Sequence, residues 1–479
     1  MRSGNEGFSP LTPGTVSELR SICDLSRVLS GDEASISRYG RDQVADARYA
    51  RSPEVVVLPE NAAEVQEILR LATRYRIPVT PRGAGSGLSG GAVPLYGGIS
   101  ISFERMNRVI EIDTSNLVAV VEPGVVTNEL DSRLAEYGLF FAGYPLSEEF
   151  CFIGGNVAEN AGGGRAVKYG VTSRYVTGLE IVTAAGDIMQ IGGKRFKDVT
   201  GLDLLSLLTG SEGTLAVFTK IFLRILPRPT EKVVASIEFP DEIEALKLVP
   251  RILADRTILP SAVEFLDSVC LFQTRAFLGE AVGDRDTSIL LVELDGDEPE
   301  SFDRRIERLE AHLADCAAES SVVDFSVARG EVEIGALWKI RKQVPWALKK
   351  LNPVLTAEDI VVPVGRSAEL LQAVRDISDR RGVLIPFFGH AGDGNYHASP
   401  MKPEGLDVEA WDAILKSLLT DLYTRASSLG GTISGEHGIG HKRIGYLPLV
   451  LDETQRALLK RIKYAFDPEG ILNPGKLYG

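Results

Sequence analysis

From Pro53 onward, short apolar runs alternate with polar and glycine-rich turns. EVVVLP (Glu54–Pro59) predicts a strand, and AAEVQEILRLATRYR predicts a helix over Ala62–Arg76 capped by Asn61. IPVT (Ile77–Thr80), ISISF (Ile99–Phe103), VIEID (Val109–Asp113) and LVAVVEP (Leu117–Pro123) read as strands, with a hairpin turn at Asp113–Asn116. A helix near Thr127–Tyr137 follows, and then LEIVT and DIMQI, two strands joined by Ala184–Ala185–Gly186. The prolines at Pro227–Pro229 mark a boundary. Beyond it, KVVASIEF, SILLVEL, SVVDFSV and DIVVP alternate with long helices near Ile243–Asp255, Ser301–Cys316, Val332–Leu351 and Ser367–Arg381, the pattern of an α+β domain. A terminal helix is expected over Asp452–Phe466, and the first fifty residues read as helix and turn with a polar run at Ser30–Arg48. There is no internal repeat.

Composition narrows the function classes. The 479 residues are 44% apolar and 25% charged, enough for two or three cored domains. With 52 basic against 66 acidic side chains, the net charge of −14 excludes a nucleic-acid partner. No apolar run reaches the ~18–20 residues of a membrane span, and MRSGNEGFSPLTPGTV lacks the apolar core of a secretory signal. A cytoplasmic chain is expected, with peripheral membrane docking through a partner left open. Cys23, Cys151, Cys270 and Cys316 are scattered, against both a disulfide framework and an iron–sulfur cluster. Electrons handled by this chain would pass through an organic cofactor. The 48 glycines, by contrast, are clustered where backbone must approach something closely.

Pro81–Gly98 reads PRGAGSGLSGGAVPLYGG and contains GxGxxG at Gly85–Gly90. A Rossmann site needs a helix immediately afterwards. Here Gly91, Pro94, Gly97 and Gly98 precede a β-patterned run, so that reading fails. A glycine loop between strands can still cradle a diphosphate with successive backbone N–H groups. The competing reading, a plain surface loop, weakens because GGNVAENAGGGRAVKYG (Gly154–Gly170) and TGSEGT (Thr209–Thr214) read as two more such loops.

Four of the five histidines fall between residues 390 and 441. His390 and His397 flank Gly392–Asp393–Gly394–Asn395, a turn able to fold the chain back and bring both rings together. SGEHGIG adds Glu436 and His437, whose side chains diverge in extended backbone. Two imidazoles and a carboxylate suit a catalytic divalent metal with an open position: zinc by default, with manganese or iron fitting the same donors. The competing reading has these histidines bonding loop backbone. Arg341, in LWKIRKQVPWAL, is either a carboxylate-binding guanidinium or a solvated helix arginine beside Lys339 and Lys342.

Taken in order, PRGAGSGLSGG, IGGNVAENAGG, TGSEG, GHAGDGNYH, SGEHGIG and LNPGK resemble the FAD-linked 2-hydroxy-acid dehydrogenases of the vanillyl-alcohol oxidase/p-cresol methylhydroxylase superfamily, across roughly Pro53–Gly475. That family holds the glycolate, D-lactate and D-2-hydroxyglutarate dehydrogenases. The resemblance implies an α+β fold: a two-part FAD-binding domain (1–229, with an N-terminal helical segment), an α+β substrate or cap domain (230–425) and a C-terminal helical segment (426–479) packing back on the first. It implies FAD contacts from Arg82, Gly83, Gly85, Ser86, Gly87, Leu88, Ser89, Pro145, Ser147, Gly154, Gly155, Asn160, Gly162, Gly163, Glu212, Gly213 and Asn473. Ser86 stands where covalent relatives carry histidine, which implies non-covalent FAD. His390, His397 and Glu436 are implied as metal ligands, His437 as the base and Arg341 as the substrate-carboxylate partner. An imidazole's ordinary pKa of ~6.5 suits that base near neutrality.

Two departures matter. Gly143–Tyr144–Pro145–Leu146–Ser147 replaces a Pro-Asp-Pro-Ser-Ser stretch near the flavin, and Ala357 replaces a lysine of the 2-hydroxyglutarate enzymes. The expected reaction is therefore oxidation of a short 2-hydroxy acid of the D-lactate or glycolate type, with D-2-hydroxyglutarate as the alternative. The electron acceptor would be a quinone, an electron-transfer flavoprotein or an iron–sulfur subunit. Competing readings are a flavin-using transferase of the alkyl-dihydroxyacetone-phosphate synthase type, a non-catalytic subunit and, more remotely, a metallohydrolase.

Overall fold

The computed structural model describes residues 7–31, 33–44, 46–280, 282, 286–316 and 322–478. Met1–Glu6 of the N-terminal stretch and Ser321 of SVVDFSV lie outside them. The chain forms two compact units. Unit 1 comprises the chain through Gly162, Val171–Arg228 and the segment from Glu436 onward; unit 2 comprises Gly163–Gly170 and Pro229–Gly435.

Among its described residues, unit 1 holds three sheets. The first orders β1 (Val28–Ser30), β2 (Val55–Val57), β4 (Ile99–Ser102) and β3 (Val79–Arg82) in that sequence, with β4 parallel to both β2 and β3. The helix Ala62–Tyr75 covers it. Asn61 caps this helix, its Oδ1 accepting the Glu64 N–H at 3.0 Å, an interaction worth about 1 kcal/mol. Val65, Ile68, Leu69, Leu71 and Ala72 bury against Val55, Val57, Val79, Ile99 and Ile101. Each Val, Leu or Ile side chain so buried contributes about 1.5–3 kcal/mol. The second sheet, antiparallel throughout, orders β5 (Val109–Asp113), β6 (Val118–Val121), β10 (Val217–Arg224), β8 (Val176–Val182) and β9 (Ile188–Gly192). β7 (Leu139–Phe140) and β11 (Leu226–Pro227) make a short pair. The chain end returns to β3, where Val79 N–H donates to Ile471 and its carbonyl accepts from Asn473 at 2.8 and 2.7 Å.

The second glycine stretch is not a continuous loop. Ile153–Glu159 is a helix that Asn160 ends in left-handed backbone, φ 53°. Gly154 donates to the Pro123 carbonyl at 2.8 Å, and a Cβ there would lie 2.5 Å from Pro123 Cβ. Close packing, and not turn formation, explains that glycine.

Unit 2 is built on one antiparallel seven-stranded sheet: β15 (Asp324–Ala328), β12 (Glu231–Phe239), β14 (Ser288–Gly296), β13 (Ala262–Leu266), β17 (Phe387–His390), β18 (Asn395–Ala398) and β16 (Glu358–Val361). The helices Glu242–Ala254, Pro299–Cys316, Glu331–Leu351 and Ser367–Arg381 lie close to their sequence positions. The sequence reading omits β13, the helix Ser268–Leu278 and the helix Val408–Ser428. Residues alternate across the pleat. Phe265, Phe387 and Tyr396 share one face, with Phe387 stacked on Tyr396 at 4.8 Å. The opposite face is apolar around Leu266, Leu291 and Phe388 under Ile340, Val344 and Leu348, yet it also carries a row of charged and imidazole side chains.

Candidate active site

Register places that polar row. Ala262 pairs with Glu293, Glu264 with His390, His390 with Asn395, and His397 with both Phe388 and Asp359. Because directly paired residues share a face, Glu293, Glu264, His390, Asn395, His397 and Asp359 line one side of four adjoining strand pairs. All are 6% exposed or less, so water does not solvate this ladder and its members must satisfy one another.

They do. Ala391–Gly394 closes the His390–Asn395 pair, with Gly394 at φ +78° against the Val362 carbonyl. The hairpin brings the His390 and His397 rings to 5.6 Å between centroids, nearly perpendicular at 86°. His390 Nδ1 lies 2.6 Å from Glu264 Oε1, and Arg341 Nε donates to Glu264 Oε2. Arg341 is 3% exposed, which removes the solvated-helix reading. Burial alone would raise the Glu264 carboxyl, but His390 and Arg341 beside it outweigh that and hold it below the usual carboxylate range. Asp359 accepts from Asn395 Nδ2 at 2.7 Å, Ser434 Oγ at 2.7 Å and Gly435 N–H at 2.8 Å. Ser434 and Gly435 are the last residues of unit 2, so the chain leaves it one peptide before Glu436.

The same unit holds Gly163–Gly170. Arg165 donates to both oxygens of Glu293 at 2.8 and 3.2 Å, and Trp338 Nε1 adds a third donor at 2.8 Å. Lys168 and Tyr169 both bond Asp295, and Gly392 packs on Val167. Burial would raise Glu293, but Arg165 and Trp338 hold it low.

Within unit 1, β3 ends at Arg82 and no helix follows before Gly98, as expected of a loop that is not a Rossmann turn. Gly85 and Gly90 take positive φ, +74° and +76°. Gly90 N–H donates to Asp42 at 2.7 Å, and Arg82 donates to the Arg41 carbonyl at 2.8 Å. Ser86, Gly87 and Leu88 form the partly exposed crest. The carbonyl of Ser89 accepts from His441 and Lys442 N–H at 3.0 and 2.9 Å. Glu212, itself at φ +51°, accepts from Ile439 and Gly440 N–H at 2.8 and 2.6 Å. Asn473 Nδ2 ties Gly91 to Glu212 through their carbonyls at 2.9 and 2.7 Å. Gly213 packs on Pro81, and the Ser147 carbonyl accepts from Phe150 and Cys151. Glu436 lies 3.7 Å from where a Gly162 Cβ would stand, and His437 Nε2 is 3.6 Å from Glu436 Oε1. A Cβ on Gly83 would stand 3.5 Å from the Gly155 backbone and 3.7 Å from Phe152 Cβ. Elsewhere, His312 Nε2 sits 2.9 Å from Asp255.

The donor chemistry fits the groups implied. Two facing imidazoles on adjoining strands, one with a carboxylate behind its Nδ1, are the setting in which histidine ligates a divalent ion. Bare glycine backbone along Gly83–Gly91 fits a diphosphate.

Comparison with known proteins settles the family. The model described as "FAD linked oxidases, C-terminal domain" matches residues 228–477, and that described as "FAD binding domain" matches residues 53–192. The chain belongs to the FAD-linked oxidase family. It is similar to the glycolate oxidase subunit GlcD of Bacillus subtilis, 36% identical over 93% of both chains. It is also similar to a D-lactate dehydrogenase of Anaerostipes hadrus, 33% identical over 98% of both. The fold of this FAD-linked oxidase matches the solved 4-ethylphenol oxidase of Gulosibacter chungangensis, TM-score 0.77 at 21% identity, over 97% of this chain and 96% of that one. The chain is thus an FAD-dependent oxidoreductase, and its fold also matches that of the solved p-cresol methylhydroxylase, TM-score 0.76 at 17% identity, over 97% of both chains. No helix among the described residues is long and apolar enough to cross a membrane.

The sequence reading omits Glu264, Asp359, Glu293 and Trp338. A signal for Glu264 was present: a lone carboxylate inside the apolar run SAVEFL. A charge there costs too much to bury unless it has partners.

Proposed function

We propose that this oxidoreductase oxidises a short 2-hydroxy acid, of the D-lactate or glycolate type, to its 2-oxo acid. FAD is held non-covalently by the glycine segments of unit 1, and a divalent metal by His390, His397 and Glu436. The observation that carries the reading is the Phe387–Ala398 hairpin, which faces two buried imidazoles at 5.6 Å. The tether from Asp359 through Gly435 to Glu436 supports the third ligand. Bound there, FAD supplies the two-electron acceptor for the hydrogen on C2, and the ion supplies the Lewis acidity that makes the substrate hydroxyl acidic.

Arg341 receives the substrate carboxylate with the guanidinium nitrogens beyond the Nε that Glu264 occupies. His437 takes the hydroxyl proton. Its loop is held by the two N–H bonds to Glu212, so the ring is carried on anchored backbone. Ala357 offers no cation for a second carboxylate, which favours a monocarboxylate. Zinc fits the imidazole–carboxylate donors, as manganese or iron would, and the electrons pass on to a quinone, an electron-transfer flavoprotein or an iron–sulfur subunit.

Replacing His397 by Ala tests the ligand set. The expected variant retains the FAD absorbance, loses stoichiometric metal and no longer bleaches with substrate. Full metal content and undiminished bleaching would remove His397 from the site.

A further inference from the structure

Glu264 is completely buried in the middle of the polar row, and both of its carboxylate oxygens are committed. Oε1 meets His390 Nδ1 at 2.6 Å from the next strand, while Oε2 takes the Nε–H of Arg341 from the covering helix. Register sets the first contact, since Glu264 and His390 are direct partners of β13 and β17. Packing sets the second, since the Arg341 guanidinium lies 5.1 Å from the Phe388 ring centroid on the same face. One side chain thus touches both a residue assigned to the metal and the residue assigned to the substrate.

We propose that Glu264 is a positioning residue that sets both at once. By accepting the Nδ1 proton of His390 it leaves the Nε2 lone pair for the metal. By accepting from Nε of Arg341 it turns the remaining guanidinium nitrogens toward a substrate carboxylate. This deepens the function proposed above and rests on its assignments of His390 and Arg341.

An ionised carboxylate is the side chain that can do this, because it accepts at both ends. In Glu264→Gln one end becomes a donor. If the NH₂ faces His390, the ring must accept at Nδ1 and carry its proton on Nε2, where it blocks the metal. If the NH₂ faces Arg341, two donors oppose each other and the guanidinium is released. A purely structural ion pair would change stability without separating these effects.

The experiment compares Glu264→Gln with His390→Ala, each purified with FAD, stripped by chelator and titrated with Zn²⁺ against a chromophoric competitor. Zinc affinity of E264Q is expected to fall about 10–100-fold. Its substrate KM should rise about tenfold or more, with FAD absorbance retained and kcat at saturating metal and substrate reduced less than KM is raised. If H390A loses zinc while E264Q matches wild type in affinity and KM, the positioning role is overturned and the ligand assignment stands. If neither variant loses affinity, the assignment of His390 fails and takes this proposal with it. A second measurement does not depend on the variant folding. In zinc-free wild-type protein, ¹⁵N spectra of the neutral imidazole should show His390 protonated on Nδ1. Protonation on Nε2 would overturn the proposal.

Discussion

In unit 1 the glycine segments are held mainly through backbone. Ser89, Gly91 and Glu212 offer carbonyls, Ile439 and Gly440 offer N–H groups, and side chains such as Glu212 and Asn473 bond that backbone. In unit 2 the polar row is held by side chains bonding side chains: Glu264 with His390 and Arg341, Glu293 with Arg165 and Trp338. The first arrangement needs residues without a Cβ, and tolerates most chemistry at its crest. The second needs particular charges in particular registers, because each buried ion left alone costs several kcal/mol. Backbone suits a ligand bound by its phosphates, and charged side chains suit proton and metal chemistry.

The largest expected effect is His437→Ala. Removing a general base costs about 10²–10⁴-fold, so reduction of the bound flavin by substrate should slow by that factor while FAD stays bound. Rapid-mixing absorbance measures it, and an unchanged rate removes His437 as base. Gly440→Ala probes the backbone side of the comparison. Its φ is +50°, and a Cβ would overlap the Ser89 carbonyl. A loss of about 2–3 kcal/mol is expected from strain and clash, read as a lowered unfolding midpoint and weakened FAD retention. A stable variant with full FAD would show that this segment does not need a bare backbone.

Glu293→Gln probes the side-chain side. Its carboxyl is held below its unfolded range by Arg165, so the ion pair adds stability above the unfolded pKa of ~4.3 and loses it as pH falls through the lower folded value. Arg165 is partly exposed, 28% by side chain, which reduces the effect to about 2 kcal/mol at pH 7. Wild type and variant should converge in acid. Equal stability at pH 7 would mean that the row is not held by its charges. Asn61→Ala lies outside both the glycine segments and the polar row. It should cost about 1 kcal/mol through the lost cap and leave FAD binding unchanged, which sets the baseline for the other two.

Much of this was legible beforehand. The helix behind Asn61, the Val109–Val121 hairpin and the terminal helix behind Asp452 follow from caps and alternation, because the signals are local. The His390–His397 convergence was readable too, since glycines and Asp393 sit where the turn needs them. The helix Ile153–Glu159 was not, because its glycines answer to Pro123, 31 residues earlier, and glycine in a sequence reads first as a turn. Glu264 was also missed. Its partners lie 77 and 126 residues away, and only strand register brings them together.

The most direct test is an anaerobic titration of the FAD-loaded, metal-replete enzyme with glycolate, each lactate and each 2-hydroxyglutarate, following the flavin absorbance. Full bleaching by a short monocarboxylate, glycolate or D-lactate, is expected, with loss of that response after chelation and recovery on adding the metal back. Flavin left oxidised by all five acids, or bleaching indifferent to the metal, would contradict the proposed reaction.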